Sequence, residues 1–489
     1  MIKKEKLVQI VGPGKVNQDA TTLEAYSKDM SFANAVKPRF IVKPQTSQAI
    51  QELVKLANET RTPLIPVSSG PPHFRGDTVP GIGGSIIVDL SEMKKVMKVD
   101  RAHRVAMVEP GVTFGELIPA IEKAGLRLNM PLLPRRTKTV VGSMLEREPV
   151  VMPKYHWDIS DPLACVEVVF GNGEMFKTGQ AAGPGSVEDQ WAAGGAQKAP
   201  YGPGPAQWYR VIQGAQGTMG IVTWASLRCE LLPKVEEPYV IGSVNLSKLI
   251  DLTHWLIRLR MVNECLILNS TNLAAIMAQK WPRDYQTLRK SLPQWVLFFN
   301  LAGYDKYLPE QRVSSYVKGL DDISKQVGLE ATKAVGGVSA VDILKTVQRP
   351  SIDPYWKLRY KGAYHDIFFI TTYAKLDDQI DTIYDLINRS GYPALDMGIY
   401  LQPIVQGSNC HCEFNLFYDP QNQGEVERVK NLSTSAISAL LAKGAFFSRP
   451  YGESARMIVN RDAASVAALN KVKTILDPNH VMNPGKLCF

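Results

Sequence analysis

The first half of the chain alternates short apolar runs with amphipathic stretches. Arg39-Phe40-Ile41-Val42 is an apolar run ahead of Pro44, and Thr46–Glu59 carries Ile50, Leu53, Val54, Leu56 and Ala57 at helical spacing. Leu64-Ile65-Pro66-Val67 reads as a strand that empties into the loop Ser68–Gly76, and Ser85–Leu90 reads as a further strand. Val96–Val99 and Val105–Val108 flank Asp100–Arg104 as a hairpin. Phe114–Lys123 is amphipathic, with Gly125 as its stop. Cys165–Phe170, the turn Gly171-Asn172-Gly173 and Glu174–Lys177 predict a second hairpin, since Asn-Gly supplies the backbone twist that tight hairpins need. Residues 179–205, rich in Gly, Pro and Ala, predict a long surface excursion, and Ile221–Leu232 is again strand-like.

The texture changes near Pro238. Strands near Tyr239–Val244, Trp295–Leu301, Asp366–Thr372 and Cys412–Phe417 alternate with helices near Ser247–Val262, Gln311–Val327 and Leu376–Asn388. This predicts a separate α/β unit. Ala463–Leu476 is a helix, and an Asn/Pro-rich tail follows it.

Bulk properties constrain the class. A chain of 489 residues with 45% hydrophobic and 21% charged residues buries a sizeable core without disulfides or metals. The net charge of +9 fits a mildly basic solvated surface. No dense Lys/Arg run points to nucleic acid; the short patch Arg135-Arg136-Thr137-Lys138 is typical of the clusters present. The six cysteines are scattered and form no CxxC pair, which argues against zinc or iron–sulfur ligation and for a reducing compartment. In a strand, Cys410 and Cys412 share one face and His411 takes the other, so the run is not a metal knuckle. No signal-peptide core and no apolar run of membrane-spanning length occurs, so the expected location is the cytoplasm.

Two segments carry candidate chemistry. The loop PVSSGPPHFRGD at 66–77 presents backbone N–H groups and hydroxyls that suit a diphosphate. The segment GAQGTMGIV at 214–222 has three glycines at spacing three, which let the backbone approach a flat ligand or its phosphates. It is not the GxGxxG of a dinucleotide Rossmann unit, which disfavours a nicotinamide enzyme.

The ordered set PRFIVKP, PVSSG, GGSIIVDLSEMKKVMKVD, VEPGVTFGELIPAIEKAGL, VGSMLERE, VVFGNGEMFKTG and GAQGTMGIVTWASLRCELLP, closed by LDPNHVMNPGK, resembles the vanillyl-alcohol oxidase and p-cresol methylhydroxylase family of FAD enzymes. The resemblance covers residues 38–232 and the tail strongly, and 233–460 more loosely. It implies a two-domain α+β fold: an FAD-binding domain of residues 1–235, a cap or substrate domain of 236–449, and a segment 450–489 returning to the first domain.

The resemblance also implies site residues. Ser68, Ser69 and Gly70 would lie on the FAD diphosphate, with Gly142 and Ser143 approaching it from a second loop. Gly217, Gly220 and Val222 match the segment packed on the adenine and flavin side, and Asn483 and Lys486 match the returning tail. Relatives that attach flavin to a histidine in the first loop usually show Gly-Gly-His; here Pro71-Pro72 precede His73, so a residue beside the cofactor is the expectation. His411, in GSNCHCEFNLFYDP, is a candidate proton acceptor near flavin N5 or, equally, a core histidine. The partner motif HxGDG of hydroxy-acid dehydrogenases is absent, so no metal is expected.

Arg449 in FFSRPYG aligns with a Tyr-Arg pair at the phenolate site of phenol-oxidising relatives and would neutralise an anionic substrate or the reduced flavin, a surface ion pair being the alternative. The pair here reads Ser448-Arg449, which argues against a para-substituted phenol. YWKLRYKGAYHDIFF at 355–369 lines an anionic pocket or is an amphipathic strand, and Tyr155-His156-Trp157 is a lesser candidate.

The implied activity is hydride transfer from a small alcohol, alkylphenol or hydroxy acid, anionic or hydroxylated, to flavin N5. Electrons then pass to oxygen or to a cytochrome or electron-transfer protein. A non-catalytic flavin-binding subunit of a larger redox complex is the alternative, and self-association is compatible with either.

Overall fold

The computed structural model describes residues 2–153, 162–202, 204, 207–404 and 407–489. Three sheets organise them. In the first, strands Phe40–Val42, Ile86–Asp89 and Leu64–Val67 run parallel in that spatial order, with Val16–Asn17 antiparallel on the outer edge. Parallel strands need a crossover, and Ser47–Thr60 supplies it: Thr46 caps the helix, and Ile50, Leu53, Val54 and Ala57 form its buried face.

The second sheet is antiparallel, in the order Val96–Asp100, Val105–Val108, Gly220–Leu231, Leu163–Phe170, Met175–Lys177, with Leu126–Leu128 also pairing on Gly220–Leu231. Helix Phe114–Lys123 packs on it. Its start is fixed by a reciprocal capping box between Thr113 and Glu116. Both expected hairpins form.

The third sheet has six antiparallel strands, ordered Val235–Ser243, Trp295–Gly303, Val262–Asn269, Met397–Ile404, Asn409–Tyr418, Ala363–Thr371. Helices Leu246–Arg258, Pro309–Val327, Tyr373–Ser390 and Gln423–Ala442 cover one face and build the largest core cluster with it. Cys410 and Cys412 point into that cluster, and His411, Glu413 and Asn415 therefore point to the other face, as the alternation predicts.

Two inner strands, Val262–Asn269 and Met397–Ile404, were not legible. Every residue in them is buried, so no polar alternation marks them. The helix expected over Ser247–Val262 ends at Arg258; Arg260 is left-handed, and Val262 already belongs to a strand.

The tail returns to the first sheet: Leu64 N–H donates to Val481 O at 2.7 Å, and Asn483 N–H donates to Leu64 O at 2.9 Å. No helix among the described residues is long and apolar enough to cross a membrane.

Candidate active site

A cleft with about 1710 Å³ of space free of protein atoms, its solvent-open part included, runs between the first two sheets and the third. One wall comes from the loops after Leu64–Val67, around helix Val140–Leu145, and from residues 212–222; the other comes from residues 355–366, Tyr400, Glu413, Arg449 and Tyr451.

Of the residues expected at the cofactor, Ser68, Ser69, His73, Gly142, Gly217, Gly220 and Val222 line this cleft. Thr139 Oγ1 lies 2.8 Å from Ser68 Oγ and 3.0 Å from Ser69 Oγ, which ties the two loops through a ring of hydroxyls. A Cβ on Gly142 would sit 2.9 Å from Thr139 Oγ1 and 3.1 Å from Ser68 Oγ, so glycine keeps that ring open. Gly217 is left-handed, and a Cβ there would strike Pro66 Cγ at 2.4 Å.

The other four sit behind the wall. Gly70 contributes its carbonyl to Arg135 at 3.4 Å. Ser143 is buried and donates to Glu148 Oε2 at 2.6 Å. Asn483 Nδ2 donates to the carbonyls of Asp77 (2.9 Å) and Gln216 (2.7 Å), and Lys486 Nζ donates to Gly76 O at 2.7 Å. These two residues hold the lining loops in place.

His73 Nε2 is buried without a hydrogen-bond partner, and burial, reinforced by the charge of Arg135, lowers its pKa to about 4. A neutral imidazole thus faces the cleft. Glycines, hydroxyls and an unpartnered imidazole along an elongated cleft fit a flavin nucleotide, whose diphosphate needs donors and whose ring needs close backbone.

Strand alternation builds the opposite wall. On Ala363–Thr371, Tyr364 and Asp366 line the cleft, while Ile367 and Phe369 enter the helix-side core. Asp366 pairs across the ladder with Asn415, and Phe368 with Glu413. Lys357 Nζ donates to Asp366 Oδ2 at 2.8 Å and to Glu413 Oε1 at 2.6 Å; Asn415 Nδ2 donates to Asp366 Oδ1 (2.6 Å) and Glu413 Oε1 (2.7 Å).

One cation therefore serves two carboxylates, Glu413 buried and Asp366 with its side chain 10% exposed. Burial raises Asp366 to about 6, against the pull of Lys357 and with the repulsion of Glu413. Burial also opposes ionisation of Glu413, but Lys357 and His411 hold it well below the usual carboxylate range.

His411 is buried behind this group. It does not line the cleft, and its Nε2 lies 3.3 Å from Glu413 Oε2. Arg449 does line it, 5% exposed, with its guanidinium 4.4 Å over the Phe368 ring and one long bond, 3.4 Å, to Glu146 O. The surface ion pair is thereby excluded for Arg449.

Sequence reasoning missed Asp366, Glu413 and the Arg135–Lys138 patch as cleft residues. Arg135 is buried and lines the cleft with Lys138. Lys138 shares Glu146 and Glu148 with Arg75, at 2.6–3.0 Å. Of the 355–369 stretch, Tyr355, Lys357 and Tyr364 reach the cleft, whereas Arg359, Tyr360 and His365 turn to Pro354 O, Asp396 and Ser433. Tyr155-His156-Trp157 lie outside the described residues.

Fold and cleft together define a two-domain flavoprotein. Residues 38–179 match the FAD binding domain family, and residues 369–487 match the C-terminal domain of FAD linked oxidases. The chain thus carries both the FAD-binding domain and the C-terminal domain of FAD-linked oxidases, and its cofactor is FAD.

It is 21% identical to glycolate oxidase subunit GlcD of Bacillus subtilis, over 99% of this chain and 96% of that protein. It is 28% identical to the 4-cresol dehydrogenase [hydroxylating] flavoprotein subunit of Pseudomonas putida, over 56% of this chain and 50% of that one. The crystal structure of p-cresol methylhydroxylase with substrate bound superposes with a TM-score of 0.81 at 20% identity, covering 98% of this chain and 95% of that one. The protein is an FAD-linked oxidoreductase.

Proposed function

We propose that the protein oxidises a small substrate carrying both an oxidisable hydroxyl or activated C–H group and an acidic group, with residues 1–235 and 450–489 holding the flavin and 236–449 capping it. The observation that carries this reading is Asp366, a cleft carboxylate held near half-ionisation at about pH 6 beside Lys357 and Glu413. A base tuned to working pH removes a proton most effectively.

Bound flavin supplies the hydride acceptor. Asp366 takes the substrate hydroxyl proton, and Lys357 steadies the charge shared with Glu413. His411 acts through Glu413 Oε2 as a positioning residue. Arg449, buried without a carboxylate partner among the described residues, holds the acidic group. Ser68, Ser69 and Gly142 receive the diphosphate, with His73 beside the cofactor. The relatives' names, a glycolate oxidase subunit and a 4-cresol dehydrogenase flavoprotein subunit, support both candidate substrate classes, and the second supports a partner subunit as electron acceptor.

The test is anaerobic mixing of the holoenzyme with 2-hydroxy acids, primary alcohols and alkylphenols, following loss of the oxidised flavin's visible absorption. Asp366→Asn should keep FAD and lose bleaching by at least about a hundredfold. A protein that keeps FAD yet is bleached by no substrate, wild type included, is the non-catalytic flavin subunit instead.

A further inference from the structure

The cleft wall carries five cations and five carboxylates, and their pairing is uneven. Lys357 is held by Asp366 and Glu413, and Arg75 and Lys138 are held by Glu146 and Glu148. Arg135 and Arg449 have no carboxylate at ion-pair distance among the described residues. Asp77, the fifth carboxylate, has Glu146, Arg75 and Asp29 as its electrostatic neighbours rather than either of these arginines.

Arg449 is assigned above to one acidic group. Arg135 remains. It is buried, its guanidinium lies 5.3 Å over the Phe74 ring, and its one hydrogen bond is a 3.4 Å contact to Gly70 O. An arginine taken out of water without a counter-charge is costly, so the fold retains it where an anion arrives.

The surroundings of Arg135 are built for such an anion. Phe74, Tyr355 and Tyr364 form an aromatic box, with centroids 5.1 Å apart for Phe74–Tyr364 and 6.0 Å apart for Phe74–Tyr355 and Tyr355–Tyr364. All three line the cleft. Neither tyrosine hydroxyl has a hydrogen-bond partner among the described residues, and both side chains are half-buried on the cleft lining, which leaves the hydroxyls open to a ligand. Burial raises both phenols far above their usual pKa, so both stay protonated and can donate. Lys357 Nζ stands 5.0 Å from the Tyr364 ring, which joins the box to the Asp366–Glu413 centre.

We infer that Arg135 with the hydroxyls of Tyr355 and Tyr364 forms a second oxyanion site, and that the substrate is a dianion spanning the Asp366 centre, one acidic group on Arg449 and the other in this box. The inference rests on the reading of Arg449 as the first anchor. The second group is a carboxylate or a phenolate; both present an oxygen anion to a guanidinium and two phenolic donors.

The experiment titrates oxidised holoenzyme and reads the shift of its flavin absorption. The probes are succinate, glutarate and adipate against butyrate and valerate, with (4-hydroxyphenyl)acetate against phenylacetate as the phenolate arm. At least one diacid, or the hydroxyphenyl acid, should bind 10-fold or more tighter than its singly acidic counterpart, and the arm that responds identifies the second group. Arg135→Gln, and separately Tyr364→Phe, should bring that preference below 2-fold with FAD content unchanged, whereas Arg449→Gln should weaken both members of a pair.

Equal binding of all pairs overturns the inference, as does loss of FAD from Arg135→Gln, which would assign Arg135 to the cofactor phosphates. Should Arg135→Gln fail to fold, an unaltered preference in Tyr364→Phe overturns it equally. Selective diacid binding in a protein whose flavin no substrate reduces would sustain the dianion site while sinking the oxidation reading.

Discussion

Lys473 donates from Nζ to the carbonyl of Thr218 at 2.5 Å, linking the last helix of the chain to the glycine-rich wall of the cleft. The same ammonium reaches Asp477 Oδ2 at 2.5 Å and Met482 O at 3.0 Å, and it is 1% exposed. Asp477 in turn accepts the backbone N–H groups of Val481 and Met482. The tail is thus folded on itself before Asn483 and Lys486 bind the loops at 216 and 76–77. The glycine-rich wall of the cleft is thus held by contacts made more than two hundred residues away along the sequence.

Lys473→Met removes that link and leaves a buried carboxylate without its counter-ion. Breaking a buried pair on one side costs about 3–5 kcal/mol. Denaturant unfolding should show that loss. Apoprotein reconstitution should show weaker FAD binding as well, because the Thr218 carbonyl is released; unchanged FAD affinity would mean that the tail stabilises the fold without shaping the cleft.

Gly217→Ala tests the wall itself. Its φ of 71° costs an L-residue about 1–2 kcal/mol, and the added Cβ would meet the Pro66 ring, which sits in a paired strand and has little room to yield. The variant should be less stable and should purify with a reduced ratio of flavin to protein, read from visible against ultraviolet absorbance.

Which of these parts the sequence disclosed follows from their physics. Turns and close approaches require glycine, so the lining glycines at 142, 217 and 220 were visible as residue types. The edge-to-edge partnership of Asp366 and Glu413 was not. They lie 47 positions apart, and only the ladder that sets Asp366 against Asn415 and Phe368 against Glu413 brings them to one lysine. His411 stood out because histidine is rare in this chain, yet it is Glu413, two residues on and on the same face, that reaches the cleft. Arg135 looked like a surface patch because burial of a cation leaves no mark in composition; its neighbour Arg136 is exposed.

Arg449→Gln should raise KM for acidic substrates about 10- to 100-fold, equivalent to about 1.4–2.8 kcal/mol, with a smaller change in kcat. Arg449→Lys should not restore it. A lysine lacks the planar fork and does not stack on Phe368 as the guanidinium does at 4.4 Å. Steady-state kinetics on both variants decides this, and equal loss of kcat and kcat/KM would instead assign Arg449 to the transition state.

The pH dependence follows from Asp366. Its carboxyl is raised from 3.8 to about 6 in the fold, by burial first. Only the ionised form accepts a proton, so kcat should rise with pH through about 6 and level off above it. Asp366→Asn should abolish that limb, and Lys357→Met should move it to higher pH, since the nearest cation is gone.

Stability runs the other way. A folded pKa above the unfolded one means that the protonated carboxyl favours the native state. That contribution is complete below pH 3.8 and lost as pH climbs through about 6. Relative to wild type, Asp366→Asn should therefore gain stability as pH rises from 4 to 7, measured by urea unfolding at each pH. A flat difference across that range would place the working proton on another group.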